Sequence, residues 1–434
     1  MKAMMKGFLL FLALALLVTV SASAEERTFT GFSVKETRAG KLAEGVDYSF
    51  YELLPPDGNI NHGQRISLIE VQGEALLNTR LLAVPGSPTR IHKGLKALTA
   101  ILDDVQAGTK GVILAGVNGD FFDMAWGGNV GNLKTENEWL TAGEFPDGWA
   151  CGMTAEGEPL IGQPRAEITL TMPDGEEVPV NALNAPRSDT PRMDCSPENV
   201  RTARKDNFLV LYTDAYSRAT DTPGGGTEVI LKPGGALTGK GILSAVVEKV
   251  AKQPKKGGTK IPNGRMVLSG AGDSAKLLRK LKAGDTVQLS ISVQPPFDRA
   301  EIIIGGGRPD GGPLLMKDGK LTDLEPMKAV SDDVVYFYRH HPRTVFAIRE
   351  DGSYFLLAVE GNRSGSFGMT LEEMQVLLTD LDAYTALNLD GGPSTTMAIR
   401  VNDRLKAVTD TTGGKGRLTP VGSALVLVTK TNQQ

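Results

Sequence analysis

Apolar positions recur along this chain with two periods, and the two predict different elements. Between Phe29 and Val84 the pattern is strand-like: Val46-Asp-Tyr48-Ser-Phe50-Tyr51 and Ile66-Ser-Leu68-Ile-Glu70-Val71 alternate or run apolar over strand lengths. From Gly94 to Gln106 the period changes. Leu95, Leu98, Ile101, Leu102 and Val105 fall on one face of a helix that Gly108 stops. Val112 to Val117 then reads as a buried strand running into Asn118-Gly-Asp120-Phe-Phe-Asp123. Residues 124 to about 205 are the least regular, apart from a hairpin in which Ala166–Met172 turns at Pro173-Asp-Gly175. Strands resume at Phe208–Tyr212 and Thr286–Val293, with a short helix over Asp273–Lys282 and a solvated hairpin tip over Lys252–Lys260.

The last third has the sharpest punctuation. Thr344–Arg349 and Ser353–Val359 flank Glu350-Asp-Gly352, which predicts a hairpin. Thr370 and Glu373 form a capping box for a helix whose apolar face is Leu371, Met374, Leu377, Leu378 and Leu381. Tyr384–Leu389 follows as a strand leading into Asp390-Gly-Gly. There is no tandem repeat and no long low-complexity linker. The fold class is α+β, a β-rich mixed sheet core with a few covering helices and strand ends that carry the polar clusters.

Composition adds a compartment. Lys2 and Lys6 precede an apolar run from Phe8 to Val20, and Ala22-Ser-Ala24 supplies a small-x-small cleavage pattern, so residues 1–24 read as a signal peptide. The run is short for a bilayer span, which wants about 20 residues. A secreted or periplasmic chain is expected, with no stable membrane insertion after cleavage. Its two cysteines, Cys151 and Cys195, leave one disulfide or two free thiols open. The net charge of −4, with signs interspersed, gives no nucleic-acid-binding field.

The chemistry gathers at strand ends. In Asn388-Leu-Asp390-Gly-Gly-Pro-Ser-Thr-Thr396, Asn388 and Asp390 share one face of a strand, because side chains alternate with period two. Gly391 and Gly392 let backbone approach a ligand, and Ser394 and Thr395 add hydroxyls and amides. Asn118 and Asp120 repeat the Asn-x-Asp pattern after another strand, where a plain turn is the competing reading. Arg343, with His341 beside it, supplies a guanidinium suited to phosphate or carboxylate, whereas His340 and His341 are a poor chelating pair. Glu360 and Arg363 end a further strand, and Gly305-Gly306-Gly307 can offer backbone amides to an anion. No Walker loop, HExxH, CxxC or Gly-x-Ser-x-Gly element is present.

Together these pieces resemble the phosphodiester glycosidase family, which includes the lysosomal uncovering enzyme of animals and bacterial exopolysaccharide-related proteins. Asn118–Asp123, Ile261–Gly270, Gly305–Gly307 with Leu314–Gly319, His341–Thr344, Gly368–Glu373 and Asn388–Thr395 occur in the family's order. The resemblance divides the mature chain into an N-terminal β-rich segment with one helix, 25–109, and a phosphodiester glycosidase-like domain, 110–434, with a loop-rich insertion at 127–205. It implies cleavage of a sugar-1-phosphodiester at the anomeric C–O bond. Asp390, Asp120 and Glu360 would be the carboxylates and Arg343 a phosphate clamp, with Arg363. Asn118, Asn388, Gly306, His341, Gly391, Gly392, Ser394 and Thr395 would bind substrate. Converging carboxylates also admit a hard cation such as Ca2+. Two departures stand out: the family's Asp-Gly-Arg triplet is here Glu360-Gly-Asn-Arg363, and 127–205 is longer or different. The competing readings are a non-catalytic carbohydrate-binding or envelope-assembly protein, and a glycosidase or lyase acting on a phosphate-free polysaccharide.

Overall fold

The computed structural model describes residues 27–430 except 89, 125, 137, 143–146, 188–206, 253–257, 307–312, 326–338, 364 and 411–416. The signal-peptide expectation and Cys195 therefore lie outside the described residues. Among the described residues the chain is a β-rich α+β fold of four sheets, two of eight strands and two of five. The first sheet runs, in spatial order, Ser33–Ala43, Val46–Leu54, Gln64–Val71, Tyr354–Val359, Arg343–Ile348, Thr385–Asn388, Leu314–Lys317 and Lys320–Leu321, and every pairing is antiparallel. The second orders Arg404–Ala407, Met397–Val401, Ile113–Asn118, Ser423–Thr429 and Thr79–Pro85.

The first sheet explains the alternating and continuous apolar runs of the sequence. Ile66, Leu68, Val345, Ala347, Phe355, Leu357 and Val359 enter a core covered by the helix Leu371–Asp380. Ile69, Val71, Phe346, Tyr354, Leu356 and Ala358 point the other way, into the large core shared with the second sheet. These strands are thus buried on both faces, so Val345–Ile348 and Tyr354–Val359 run continuously apolar, while Ser67 and Glu70 interrupt the run in Gln64–Val71. In the second sheet Leu425 and Leu427 join that shared core, while Ala424, Val426 and Val428 pack under the helix Leu98–Gly108.

The predicted helices are present with shifted ends. The second-sheet helix begins at Leu98, not Gly94, because Lys96 exchanges backbone hydrogen bonds with Val421 and holds the preceding residues extended. The helix at 273–282 is the shorter Gly272–Leu278. Thr370 and Glu373 do form the capping box.

The division at residue 109 does not divide the sheets. Gln64–Val71 lies between Val46–Leu54 and Tyr354–Val359, and Thr79–Pro85 pairs with Ser423–Thr429 along its length. Residues 127–205 likewise contribute strands to the other two sheets, one of which extends to Ser292. In that sheet Leu243–Lys252 and Met266–Gly270 flank Thr227–Pro233 on opposite sides. The two are therefore not hairpin partners, and most of the expected tip over Lys252–Lys260 lies outside the described residues.

Candidate active site

The first and second sheets meet at a common set of strand ends, and the polar clusters of the sequence are there. Asn118 closes the strand Ile113–Asn118 and is fully buried. Its Nδ2 donates to the Asp390 carbonyl at 2.7 Å, and its Oδ1 accepts from the Thr344 hydroxyl at 2.8 Å and the Thr396 amide at 3.0 Å. One amide side chain thus ties together three stretches of chain. Asn118 was expected to hold substrate. Its place is behind the site, as a brace.

The backbone completes the convergence. The Asp390 amide donates to Gly119 at 3.2 Å, Leu389 to Thr344 at 2.8 Å and Gly392 to Pro342 at 2.9 Å. Gly391 is required by contact, since a Cβ there would stand 2.9 Å from the Pro342 carbonyl oxygen and 4.0 Å from Arg343 Cα. Asp120 and Asp390 are 4% and 9% exposed, so both carboxylates sit in low-dielectric surroundings. The Asp120 amide is held by the Ser423 hydroxyl at 3.1 Å, which donates on to Asn129 at 2.8 Å.

The two arginines differ. Arg343 is buried, its Nε donating to the Met369 carbonyl at 2.9 Å and its Nη2 to that of Arg339 at 2.8 Å. Arg363 reaches solvent and is held by Glu360 Oε2 at 3.2 Å, the Asp410 carbonyl at 2.7 Å and Asp410 Oδ2 at 2.6 Å. Burial pushes the Glu360 carboxyl up from its ordinary value. The Asp410 amide, Arg363 and Arg65 pull against that rise, and the Asp410 carboxylate adds to it. Between Glu360 and Arg363, Asn362 takes a left-handed φ of 56°.

Not every expected binder faces outward. Asn388 is buried and its Nδ2 donates to the Leu389 carbonyl at 2.8 Å. Ser394 and Thr395 are buried at the end of a tight turn, Gly392–Ser394. His341 is half-buried and exchanges backbone bonds with Met369. Gly306, at φ +82°, lies against Asn132 and Gly148, while Ile304 of the same stretch packs on Gly119 beside Asp120. Among the described residues no three His, Cys, Asp or Glu side chains converge closely enough to hold a metal ion. A Ca2+ finds no such ligand set in them.

Residues 240–428 match the family model described as phosphodiester glycosidase. This stretch resembles the phosphodiester glycosidases over less than half of the chain. The family is one of glycosidases, hydrolases acting on carbohydrate. Arg343, Glu360, Arg363 and Asp390 lie inside the region, whereas Asn118 and Asp120 reach it from outside by the contacts above. Similar solved structures include a hypothetical protein from Synechocystis, 18% identical over 92% of this chain and 68% of that one, with a TM-score of 0.68. A putative exported protein from Burkholderia pseudomallei is 16% identical over 93% of this chain and 100% of that one, at 0.67. The catalytic domain of zebrafish N-acetylglucosamine-1-phosphodiester alpha-N-acetylglucosaminidase, auto-inhibited by its pro-peptide, is 14% identical over 91% and 88%, at 0.41. The first two share the fold. No curated protein matches this chain.

A polar knot lies away from the strand ends, with only Thr259 and Ser269 inside the matched residues. Fully buried Glu228 accepts through Oε1 from Thr220 at 2.9 Å, Thr222 at 2.7 Å and Ser269 at 2.8 Å, and through Oε2 from the Thr259 amide at 2.9 Å. Burial alone would raise this carboxyl, but the four bonds outweigh it and hold it below its usual value. Arg187 Nε joins through Ser269 at 2.8 Å. The Ile261–Gly270 motif thus serves this knot through Ser269. Its partner Glu228 sits in Thr227-Glu-Val-Ile, an unremarked strand residue with no sequence signal beyond a lone acid among apolar neighbours.

Proposed function

We propose that the chain is an exported glycosidase that cleaves a sugar-1-phosphodiester at the anomeric C–O bond. The supporting observation is the meeting of Gly119-Asp120, Pro342-Arg343, Glu360–Arg363 and Asp390–Gly392 at one set of strand ends, through bonds such as Asp390 N to Gly119 O at 3.2 Å. The transition state carries positive charge at C1 and negative charge on the departing phosphate. Asp390, with Asp120 beside it, faces the first charge. Arg363, fixed by Glu360 and Asp410 and open to solvent, meets the second. Arg343 holds the Arg339 and Met369 backbone and adds a buried positive charge behind the anion. In the net reaction water adds to C1, the C1–O bond breaks, and its electron pair leaves with the phosphate oxygen. Water's proton passes to a carboxylate. Glu360 accepts from Arg363 and from the Asp410 amide and so keeps the guanidinium in place for the phosphate, which departs as an anion.

Export rests on Lys2, Lys6, the Phe8–Val20 run and Ala22-Ser-Ala24. The activity is tested with purified mature protein on a panel of glycosyl phosphodiesters and matched phosphate-free glycosides. Asp390→Asn and Arg363→Ala are each expected to lower turnover of the diester by about 100-fold or more with unchanged melting temperature. Full activity of Asp390→Asn, or preference for the phosphate-free glycosides, would overturn the reading.

A further inference from the structure

One aromatic ring on the surface is held more firmly than solvent exposure alone would justify. Phe367 is 39% exposed, and among the described residues it is the one aromatic in the set of exposed large hydrophobic side chains. Imidazoles flank it, His340 with ring centroids 4.3 Å away and His62 at 5.2 Å. His340 Nε2 is in turn 3.1 Å from Glu373 Oε2.

The loop that presents this ring is fixed at nearly every residue. Phe367 N donates to Gly63 at 2.9 Å, and Gln64 clamps Gly368 with both ends of its amide, at 2.9 and 3.1 Å. The Ser366 hydroxyl donates to the Glu360 carbonyl at 2.8 Å and accepts from the Arg65 amide at 3.2 Å. Gly368, at φ +92°, lies so close to His341 that a Cβ would stand 2.7 Å from its carbonyl carbon. Such ordering is paid in the folded state, so a partner meets a ring that loses little further freedom on binding.

Contacts also place the ring relative to the carboxylates. Gly391 packs on the Pro342 carbonyl, and Gly361 packs on the Pro342 nitrogen and on Gly368, the residue after Phe367. The backbone that carries Phe367 is thus joined through Pro342 to the Asp390 turn, and Arg363 bridges to Ser366 in the same loop. A flat apolar face with hydrogen-bonding groups around its margin complements a pyranose, whose C–H face covers the ring while its hydroxyls reach imidazole and carboxylate. A purely apolar ligand would leave the two histidines and Glu373 unused.

We propose that Phe367, His62, His340 and Glu373 form a subsite for a second sugar, the one carried by the departing phosphate. This rests on the phosphodiester reading for the order of groups along the substrate, but the binding itself is measurable without turnover. The chain has only four histidines. With 13C-labelled histidine, methyl α-glucopyranoside, methyl α-mannopyranoside and methyl N-acetyl-α-glucosaminide are titrated to about 50 mM, a range suited to a weak single-ring contact. At least one should shift the His62 and His340 resonances and leave that of His92 in place. Phe367→Leu should abolish the shift and Phe367→Trp restore it. In kinetics, Phe367→Leu should lower kcat/KM roughly tenfold on a sugar–phosphate–hexose diester and leave the corresponding methyl diester unchanged. The proposal is overturned if no methyl glycoside moves His62 or His340, if the shift survives in Phe367→Leu, or if both diesters lose equally. Absence of any diester cleavage would count against the hydrolase reading alone, with the histidine shifts still deciding the subsite.

Discussion

Asn118 shows how much a single buried amide can hold. Removing it by Asn118→Ala would leave the Thr396 amide, the Thr344 hydroxyl and the Asp390 carbonyl without the partner each now has in Asn118. A buried polar group deprived of its partner costs about 1–3 kcal/mol. Urea denaturation of Asn118→Ala should therefore show a loss of about 3 kcal/mol or more. Turnover should fall with it, because Asp390 is aligned by the same bonds. Stability within 0.5 kcal/mol of the parent, a typical margin for surface changes, would refute the brace. The sequence made Asn118 conspicuous through Asn-x-Asp at a strand end, yet it could not distinguish an amide facing ligand from one facing backbone. That difference depends on Thr344 and Thr396, whose proximity no local pattern records. The two arginines show the same gap: Arg343 stood out by its motif, and only the fold reveals that Arg363 is the one reaching solvent.

Elements behaved according to their local signals where those signals were strong. The Glu350-Asp-Gly hairpin and the capping box of Leu371–Asp380 formed as their residues dictate. The start of Leu98–Gly108 was displaced by a backbone pairing to Val421, a distant competitor invisible to periodicity. The Glu228 knot is the element-scale case of a feature with no local signature. It collects Thr220 and Thr222 from one connection, Thr259 from another and Ser269 from a neighbouring strand. Its folded carboxyl is held below the unfolded value, so its contribution is complete above the ordinary glutamate range and is lost as pH falls through the folded value. Glu228→Gln should cost about 3 kcal/mol at pH 7, since hydrogen bonds to a charged group are worth roughly 1.5–3 kcal/mol each. The gap between variant and parent in urea melts should narrow on acidification. A gap independent of pH would show that the charge is not what holds the knot.

On the scale of the molecule, the residues before 110 are built into the sheets that carry the site. Gln64–Val71 is an interior strand, and Thr79–Pro85 covers one side of Ser423–Thr429. A fragment spanning residues 110–434 would expose Ile66, Leu68, Ile69 and Val71's partners on Tyr354–Val359 and an unpaired edge on Ser423–Thr429. It should be insoluble or lack dispersed amide resonances, whereas co-expression with residues 25–109 should rescue soluble protein. A well-dispersed spectrum from the fragment alone would contradict this arrangement. Composition and alternation had indicated a β-rich chain with a few helices. Which strands neighbour one another was hidden, because antiparallel pairing across hundreds of residues leaves no periodic trace.

The bond from Asn118 to Asp390 spans 272 residues of chain. Closures of that separation pay their loop entropy before any contact rewards it, and they tend to come late in folding. Until both sheets have found their edges, the acidic and guanidinium groups are strangers in solution. A nascent polypeptide in which this closure has not formed therefore lacks the brace that aligns Asp390, and the pocket exists only once both sheets are joined.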